Sequence, residues 1–500
     1  MLLRPQKQDY RIIGYYTGKI IIGIGLIMTL PMFTSLFFSE WNPALDFAIG
    51  ISACLIVGLS LMMCCETDRD LLWMHGMVTA AFSWALATVL GAIPHYLSGH
   101  FLSYLDACFD IMSGYTTTGL CLIQNMDHIS HGLNMWRHLL TYLGGQGMIV
   151  VAITFLFKGT AGAYRLYVGE GKDERLLPNV VQTARAIWMI SLTYLAIGTA
   201  VLFVANLLAG MTPVRSLLHG LWIFMGSWST GGFAPQSQNL LYYHSPLVEF
   251  VTVIIFIIGS YNFALHYSVW QGNYKEVRRN IETVSFSTTV MITSVISIIG
   301  LMQVLFYPNL ASLFRRCFYQ IVSAHTTTGN ATMYPIQFLN NWNVLATMGI
   351  MIAMSIGGSA CSTAGGIKGI RVGVLFKALI NDIHRIFSPD SAVITHKFHH
   401  IRDIVLEDRH VRAASLITIS YMVMYLFGAV VGIFYGYSLQ ASLFDSISAG
   451  SNSGLSCGLT AATMPTAMKL LYIVMMWAGR LEFISIFALL AFIWAQVKGK

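Results

Sequence analysis

DACFDIMSGYTTTGL (106–120), HGLWIFMGSWSTGGF (219–233), CFYQIVSAHTTTGN (317–330) and LFDSISAGSNSGL (443–455) are four versions of one segment. Aligned on Gly119, Gly232, Gly329 and Gly454, all four carry an aromatic ten residues earlier: Phe109, Trp222, Tyr319 and Phe444. Six residues earlier stands a small residue (Ser113, Gly226, Ser323, Ser448), and three residues earlier a hydroxyl (Thr116, Ser229, Thr326, Ser451). Each segment is moderately apolar, too short to cross a hydrocarbon core of about 30 Å, and lies between two runs that are long enough. A single Thr/Ser/Gly stretch reads as an ordinary helix connector. Four in one register are an internal repeat.

Working outward, ten apolar runs lie near 12–38, 44–64, 72–97, 138–157, 185–209, 246–270, 286–306, 343–380, 413–435 and 467–497. The chain of 500 residues is 56% hydrophobic and 10% charged, with a mean hydropathy of +0.65. Soluble domains carry roughly 25% charged residues, so a cytosolic enzyme, a disordered chain and a small secreted domain are excluded. The expected fold is an all-α polytopic membrane protein with four tandem helix–pore loop–helix repeats around a central pore. Two accessory N-terminal transmembrane helices precede them. The expected units are 1–66 (accessory pair), 67–170, 171–280, 281–405 and 406–500 (pore repeats).

Charge sets the orientation. Of 29 Lys and Arg, five (Arg137, Arg215, Arg315, Arg316, Lys469) fall in loops on one side, Arg480 is mid-span, and the remaining 23 fall on the other side. Such an excess marks the cytoplasmic face, so both termini are expected inside, with the basic start MLLRPQKQDYR leading into a retained first helix. The net charge of +7 thereby has an explanation that needs no nucleic acid. Two inner stretches concentrate charge: 158–184, with Lys158, Arg165, Lys172 and Arg175, and 381–412, rich in Arg and His. They contact lipid headgroups, dock a cytoplasmic partner, or do both. The eight cysteines are scattered without metal-ligand spacing.

The repeats carry the chemistry. Non-helical backbone at membrane depth is tolerated only inside protein or beside a water-filled cavity. Four short helices entering from outside would aim their carbonyl ends at a common centre and favour a cation there. The candidate filter is Thr116, Thr117, Thr118 and Gly119; Ser229, Thr230, Gly231 and Gly232; Thr326, Thr327, Thr328 and Gly329; Ser451, Asn452, Ser453 and Gly454. Its oxygens would replace an ion's hydration shell, with K+ held at these residues only. Run 343–380 is too long for one span and is broken by GGSACSTAGG (357–366). That break reads either as a packing kink between close helices or, preferably, as a loop obstructing the pore. The candidate gate is Gly357, Gly358, Ser359, Gly365, Gly366 and Arg480. Arg480 either pairs with Glu482 or another carboxylate, or faces the pore beneath the filter; an arginine at that depth faces protein or water. Asp106, Asp110, Asp127 and Asp445 either concentrate cations at the outer mouth or cap and pair structurally. His396, His399 and His400 read as solvated basic positions rather than metal ligands. Metalloprotease, serine-elbow and P-loop motifs are absent; GSNSG (450–454) has Asn452 at its centre. A sodium-selective transporter on the same scaffold, or an intramembrane enzyme using Ser453 or a buried histidine, are the competing readings.

TTTGL, STGGF, TTTGN, SNSGL, the glycine-rich break and GRLE (479–482) together resemble the Trk/Ktr/HKT superfamily of potassium transporters, in its bacterial TrkH/TrkG branch. The likeness covers essentially the whole chain, and the accessory pair favours TrkH over KtrB. It implies K+ uptake across the bacterial inner membrane. Gly119, Gly232, Gly329 and Gly454 would be the filter glycines, 357–366 the intramembrane gating loop and Arg480 the pore arginine. Glycine in all four copies is the pattern linked with potassium permeation. The resemblance further implies a homodimer with one pore per subunit and cytoplasmic TrkA-type regulatory subunits binding NAD(H) or ATP, while this chain carries no cofactor of its own. Asn330 and Cys361 depart from the family pattern. Channel and symport are not distinguished.

Overall fold

The computed structural model describes residues 4–148, 150, 153, 160–170, 177, 179–389 and 396–499. Within them the chain is nearly all helix: α1 Lys7–Ile27, α2 Thr29–Phe37, α3 Trp41–Cys64, α4 Trp73–Leu97, α5 Tyr104–Tyr115, α6 His131–Gln146 and α7 Thr160–Gly169. There follow α8 Val180–Leu208, α9 Pro213–Trp228, α10 Pro246–Gly259, α11 Phe263–Trp270, α12 Lys275–Arg279, α13 Ile281–Val304, α14 Leu310–His325, α15 Gln337–Asn340, α16 Val344–Ile356 and α17 Gly369–Ile386. A two-stranded hairpin, β1 Lys397–His400 and β2 Arg402–Val405, precedes α18 Asp408–Phe434, α19 Leu439–Ser451, α20 Thr466–Arg480 and α21 Ile484–Lys498.

Among the described residues, six helical stretches are long and apolar enough to cross a membrane: Lys7–Phe37 (α1 continued by α2), α3, α4, α8, α13 and α18. The last four are the opening helices of the four repeats. Each is followed by a short helix, α5, α9, α14 or α19, of 12, 16, 16 and 13 residues, about 18–24 Å at 1.5 Å per residue. These short helices start where the sequence puts a start signal. Ser103, Asn309 and Ser438 cap α5, α14 and α19 through their side chains, and α9 opens with Pro213.

The closing helices correct the sequence reading. Runs 138–157, 246–270 and 467–497 were expected as single spans, with a break only in 343–380. All four break. α6 stops at Gln146, where Gly147 takes φ +102°; part of that run lies outside the described residues. α10 and α11 bend by 99°, and α20 and α21 by 114°. Between α16, which ends at Ile356, and α17, which starts at Gly369, lies the break expected at 357–366. Packing closes the repeats into a circle: α6 lies on α9, α10 on α14, α16 on α19, and α20 returns to α5.

The histidine cluster is a second correction. His400 is buried and His399 only partly exposed, and both pin the hairpin to the protein. His399 Nε2 lies 2.9 Å from Glu276 and its Nδ1 2.6 Å from Asp403, while buried His400 lies 3.3 Å from Asn280 Oδ1. Of the basic stretch 158–184, Arg165 lies in α7, whereas Lys158, Lys172 and Arg175 lie outside the described residues.

The hydrogen bond to Glu276, then that to Asp403, raises the His399 pKa above its ordinary value despite partial desolvation. A raised folded-state pKa means that folding takes up a proton. The stabilisation is therefore complete below the unfolded value of about 6.5 and fades as pH rises through the folded value. Amide exchange in residues 397–405 should accelerate between pH 6 and pH 8 beyond its chemical rate. His399→Gln should remove that extra acceleration.

Candidate functional site

The four repeat segments take one backbone course. Each short helix ends in a residue with positive φ: Thr117 +54°, Thr230 +50°, Thr327 +53° and Asn452 +58°. The amide one residue later then reaches back five residues: Thr118 to Ser113 and Gly231 to Gly226 at 2.8 Å, Thr328 to Ser323 and Ser453 to Ser448 at 2.9 Å. This is the helix-ending geometry that glycine or asparagine ordinarily supplies. Three threonines hold it here, a strained conformation for a β-branched residue, sustained by their fully buried surroundings. Gly119, Gly232, Gly329 and Gly454 follow, all at positive φ.

The glycines meet in a closed ring. A Cβ on Gly119 would lie 2.6 Å from the Gly231 carbonyl oxygen, on Gly232 2.1 Å from Thr328 O, on Gly329 2.3 Å from Ser453 O, and on Gly454 2.0 Å from Thr118 O. Copy one thus faces copy two, two faces three, three faces four, and four faces one. No side chain fits anywhere in that circuit. The glycines also form the floor of a vestibule of about 180 Å³ lined by Arg137, Phe233, Gln236, Phe338 and Thr460.

The other repeat positions shape this ring from behind. The four aromatics ten residues upstream are buried anchors. In copies two and three the small position six residues upstream lies against the residue after the glycine: Ser323 donates to Asn330 O at 2.7 Å, and a Cβ on Gly226 would lie 2.5 Å from Phe233 O. Asn330, the departure in copy three, donates from Nδ2 to Ser227 Oγ at 2.8 Å and ties copy three to copy two. The hydroxyls of Thr116 and Thr326 turn back to helix carbonyls at 2.7 and 2.8 Å, leaving main-chain carbonyls as the ring's principal oxygens.

On the side opposite the vestibule, the 357–366 loop presses against all four copies. Thr363 Oγ1 lies 3.0 Å from Thr230 Oγ1, and Thr117 Oγ1 donates to Thr363 O at 3.4 Å. Gly365 N donates to Thr327 Oγ1 at 2.7 Å, and a Cβ on Gly365 would lie 2.1 Å from Ser451 O. The loop is closed at its neck, with Ile367 N on Ser355 O at 3.0 Å and Lys368 N on Ile356 O at 2.8 Å. Gly357 and Gly366 are in the neck because backbone passes backbone there: a Cβ on Gly357 would lie 2.1 Å from Gly365 O. Gly358 and Ser359 dock on Ser260, whose carbonyl accepts from Ser359 N at 3.0 Å. Arg480 donates to Thr363 O at 2.6 Å and to Gly144 O at 2.5 Å. It therefore clamps the loop to the broken end of α6, and Glu482 pairs with Arg371 instead.

Residues 44–497 match the model of the TrkH family of cation transport proteins. The chain belongs to that family. An uncharacterized cation transporter of Methanocaldococcus jannaschii is 32% identical over 98% of this chain and 97% of its own length. The Trk system potassium uptake proteins TrkH of Halomonas elongata and TrkG of Escherichia coli are 27% and 26% identical, over 96% and 97% of this chain and 98% of each relative. The crystal structure of the potassium transporter TrkH from Vibrio parahaemolyticus superposes with a TM-score of 0.81 at 24% identity, covering 96% of this chain and 98% of that one. This TrkH-family chain is accordingly a membrane-spanning cation transporter and not an enzyme.

The four candidate carboxylates of this TrkH-family chain have structural partners. Asp106 pairs with Lys469 at 2.6 Å, and Asp110 with Arg137 at 3.2 Å. Asp445 collects Cys457 N and Thr460 N at 2.9 and 2.8 Å, and Asp127 accepts from Ser237 N at 2.8 Å. Capping and pairing thus account for all four carboxylates. The sequence reading missed Thr363, the loop's main contact, and Gly144, Gly259 and Gly479. At those three glycines a Cβ would lie 1.9–2.1 Å from Tyr115 O, Trp228 O and Gly450 O, each carbonyl four residues before a ring glycine. The signal was present as a further small-residue register in the closing helices.

Crowding ranks the ring. Gly454→Ala should cut Rb+ uptake into proteoliposomes more than Gly119→Ala, by about tenfold or more, a difference of roughly 1.4 kcal/mol; size-exclusion profiles check that both variants fold. Removing one member of the buried Asp110–Arg137 pair should cost about 3–5 kcal/mol. Asp110→Leu alone should therefore lower the detergent melting temperature more than Asp110→Leu with Arg137→Met.

Proposed function

We propose that this chain takes up K+ across the cytoplasmic membrane through the ring of four glycines, with 357–366 and Arg480 as its gate and no resident cofactor. The observation that carries this reading is the cyclic contact among the four copies. A circuit of carbonyls with no room for side chains is suited to stripping and holding a bare monovalent cation, because it supplies oxygen without fixed charge. The loop pressed on its far side is suited to stopping flow. Inward movement would draw on the membrane potential, about 2.3 kcal/mol per charge per 100 mV. The potassium uptake relatives and the glycine in every copy favour K+ over Na+. Kinship with Trk systems also underlies the proposed homodimer and the TrkA-type NAD- or ATP-binding cytoplasmic subunits, for which the basic inner loops offer a surface. On this reading the termini are cytoplasmic and the membrane is the bacterial inner membrane.

An enzymatic use of Ser453 has no support, since among the described residues its buried hydroxyl has no hydrogen-bond partner. The deciding test is growth of a potassium-uptake-deficient strain on low K+ with and without this gene. Growth restored by K+ supports the reading; Na+ flux without restored growth favours the sodium alternative. Gly119→Ser should widen the least crowded quarter of the ring and lower K+ over Na+ preference about tenfold, roughly 1.4 kcal/mol. Unchanged preference would remove Gly119 from the filter. Arg480→Ala should raise flux by freeing Thr363 O.

A further inference from the structure

The loop contacts fall on one set of atoms. Thr117, Thr230 and Thr327 stand at the same repeat position, one step inside the ring; the single protons of Thr117 and Thr230 go mainly to their preceding carbonyls at 2.7 Å, with Thr363 as the longer second contact. All three hydroxyls meet the loop: two at Thr363 and the third at Gly365 N. Because residues 363–365 touch copies one and two through Thr363 and copies three and four through Gly365, they lie across the axis under the ring. The fourth copy differs. Asn452 shares the positive φ but sends its Nδ2 to Thr118 Oγ1 and Met476 O, both at 2.9 Å. With that side chain turned away, Gly365 sits 3.0 Å, measured from its missing Cβ, from Asn452 Cβ. Three hydroxyls and one vacated corner thus make a seat for the loop.

Resting on the potassium reading above, we propose that the loop and the transported cation compete for these three hydroxyls, so that the cation is itself the ligand that favours loop withdrawal. Gly365 N takes a lone pair of the Thr327 hydroxyl, and Thr363, packed 3.0 and 3.4 Å from the hydroxyl oxygens of Thr230 and Thr117, fills the space a cation would need beside them. A cation under the ring needs those same oxygens turned towards it. Only the withdrawn state offers them, and a ligand that binds one of two states shifts the equilibrium towards it. Arg480 strengthens the exclusion, since it shares Thr363 O with Thr117 and holds positive charge beside the occupied seat. Asn452 is then a positioning residue for the closed state: its amide keeps the fourth corner open for Gly365.

Cys361, buried within the loop, is a native reporter of withdrawal. Purified protein in nanodiscs is exposed to N-ethylmaleimide, and modification of Cys361 is read by peptide mass spectrometry across 1–300 mM KCl, with N-methyl-D-glucamine holding ionic strength at about the highest level throughout to fix screening. The Cys361 rate should rise at least threefold with K+ or Rb+, but not with Li+. Asn452→Thr, which places a fourth hydroxyl in the Gly365 corner, should raise the rate at low K+, whereas Thr230→Val should flatten the K+ dependence. Rb+ uptake by the same preparation in liposomes separates the two claims. A Cys361 rate independent of K+ with selective uptake intact overturns the competition and leaves the transport reading standing. Absence of K+-selective uptake overturns the reading beneath it.

Discussion

Four carbonyl oxygens occupy the places where four Cβ atoms would be, and the rest of the structure serves that arrangement. With 2.0–2.6 Å between each oxygen and the absent atom, no L-residue but glycine closes the circuit. The short helices end in a strained residue so that their last amides fold back and the following carbonyls leave the helix. Buried aromatics fix each helix in depth, and small residues six positions before the glycine let the chain return past its own helix. Three of the closing helices carry a glycine, Gly144, Gly259 or Gly479, where a carbonyl of a repeat segment would otherwise meet a Cβ.

The pseudo-fourfold pattern is broken where a single-chain transporter needs it broken. Copy three carries the loop in its closing helix, and only the fourth copy lacks a hydroxyl where the loop comes closest. Arg480, at the equivalent break in the last repeat, reaches across to the loop and to the first repeat together. One arginine thereby links the 357–366 loop to the circular closure of the chain. Four symmetric copies would have no unique seat for one loop.

Much of this was legible before any coordinates. The aligned Ser/Thr and Gly positions give the repeat, hydropathy gives the continuous helices, and the run 343–380 announces its own break by excess length and four glycines. Two of the other breaks were hidden because GSYN (259–262) and GRLEF (479–483) interrupt apolar runs too briefly to depress hydropathy. The pairing of Asp106 with Lys469 joins the first and last repeats, a separation that no local pattern spans. His399 and His400 looked solvated because their carboxylate and amide partners, Glu276 and Asn280, belong to another repeat. Local rules found the ring, whereas contacts between distant repeats had to be seen.

Anomalous diffraction from crystals grown in rubidium chloride tests the ring most directly. The account predicts Rb+ density on the axis, at the level of the carbonyls of Thr118, Gly231, Thr328 and Ser453. An axis without density at that level, with Rb+ bound instead at Asp106, Asp110, Asp127 or Asp445, would contradict it.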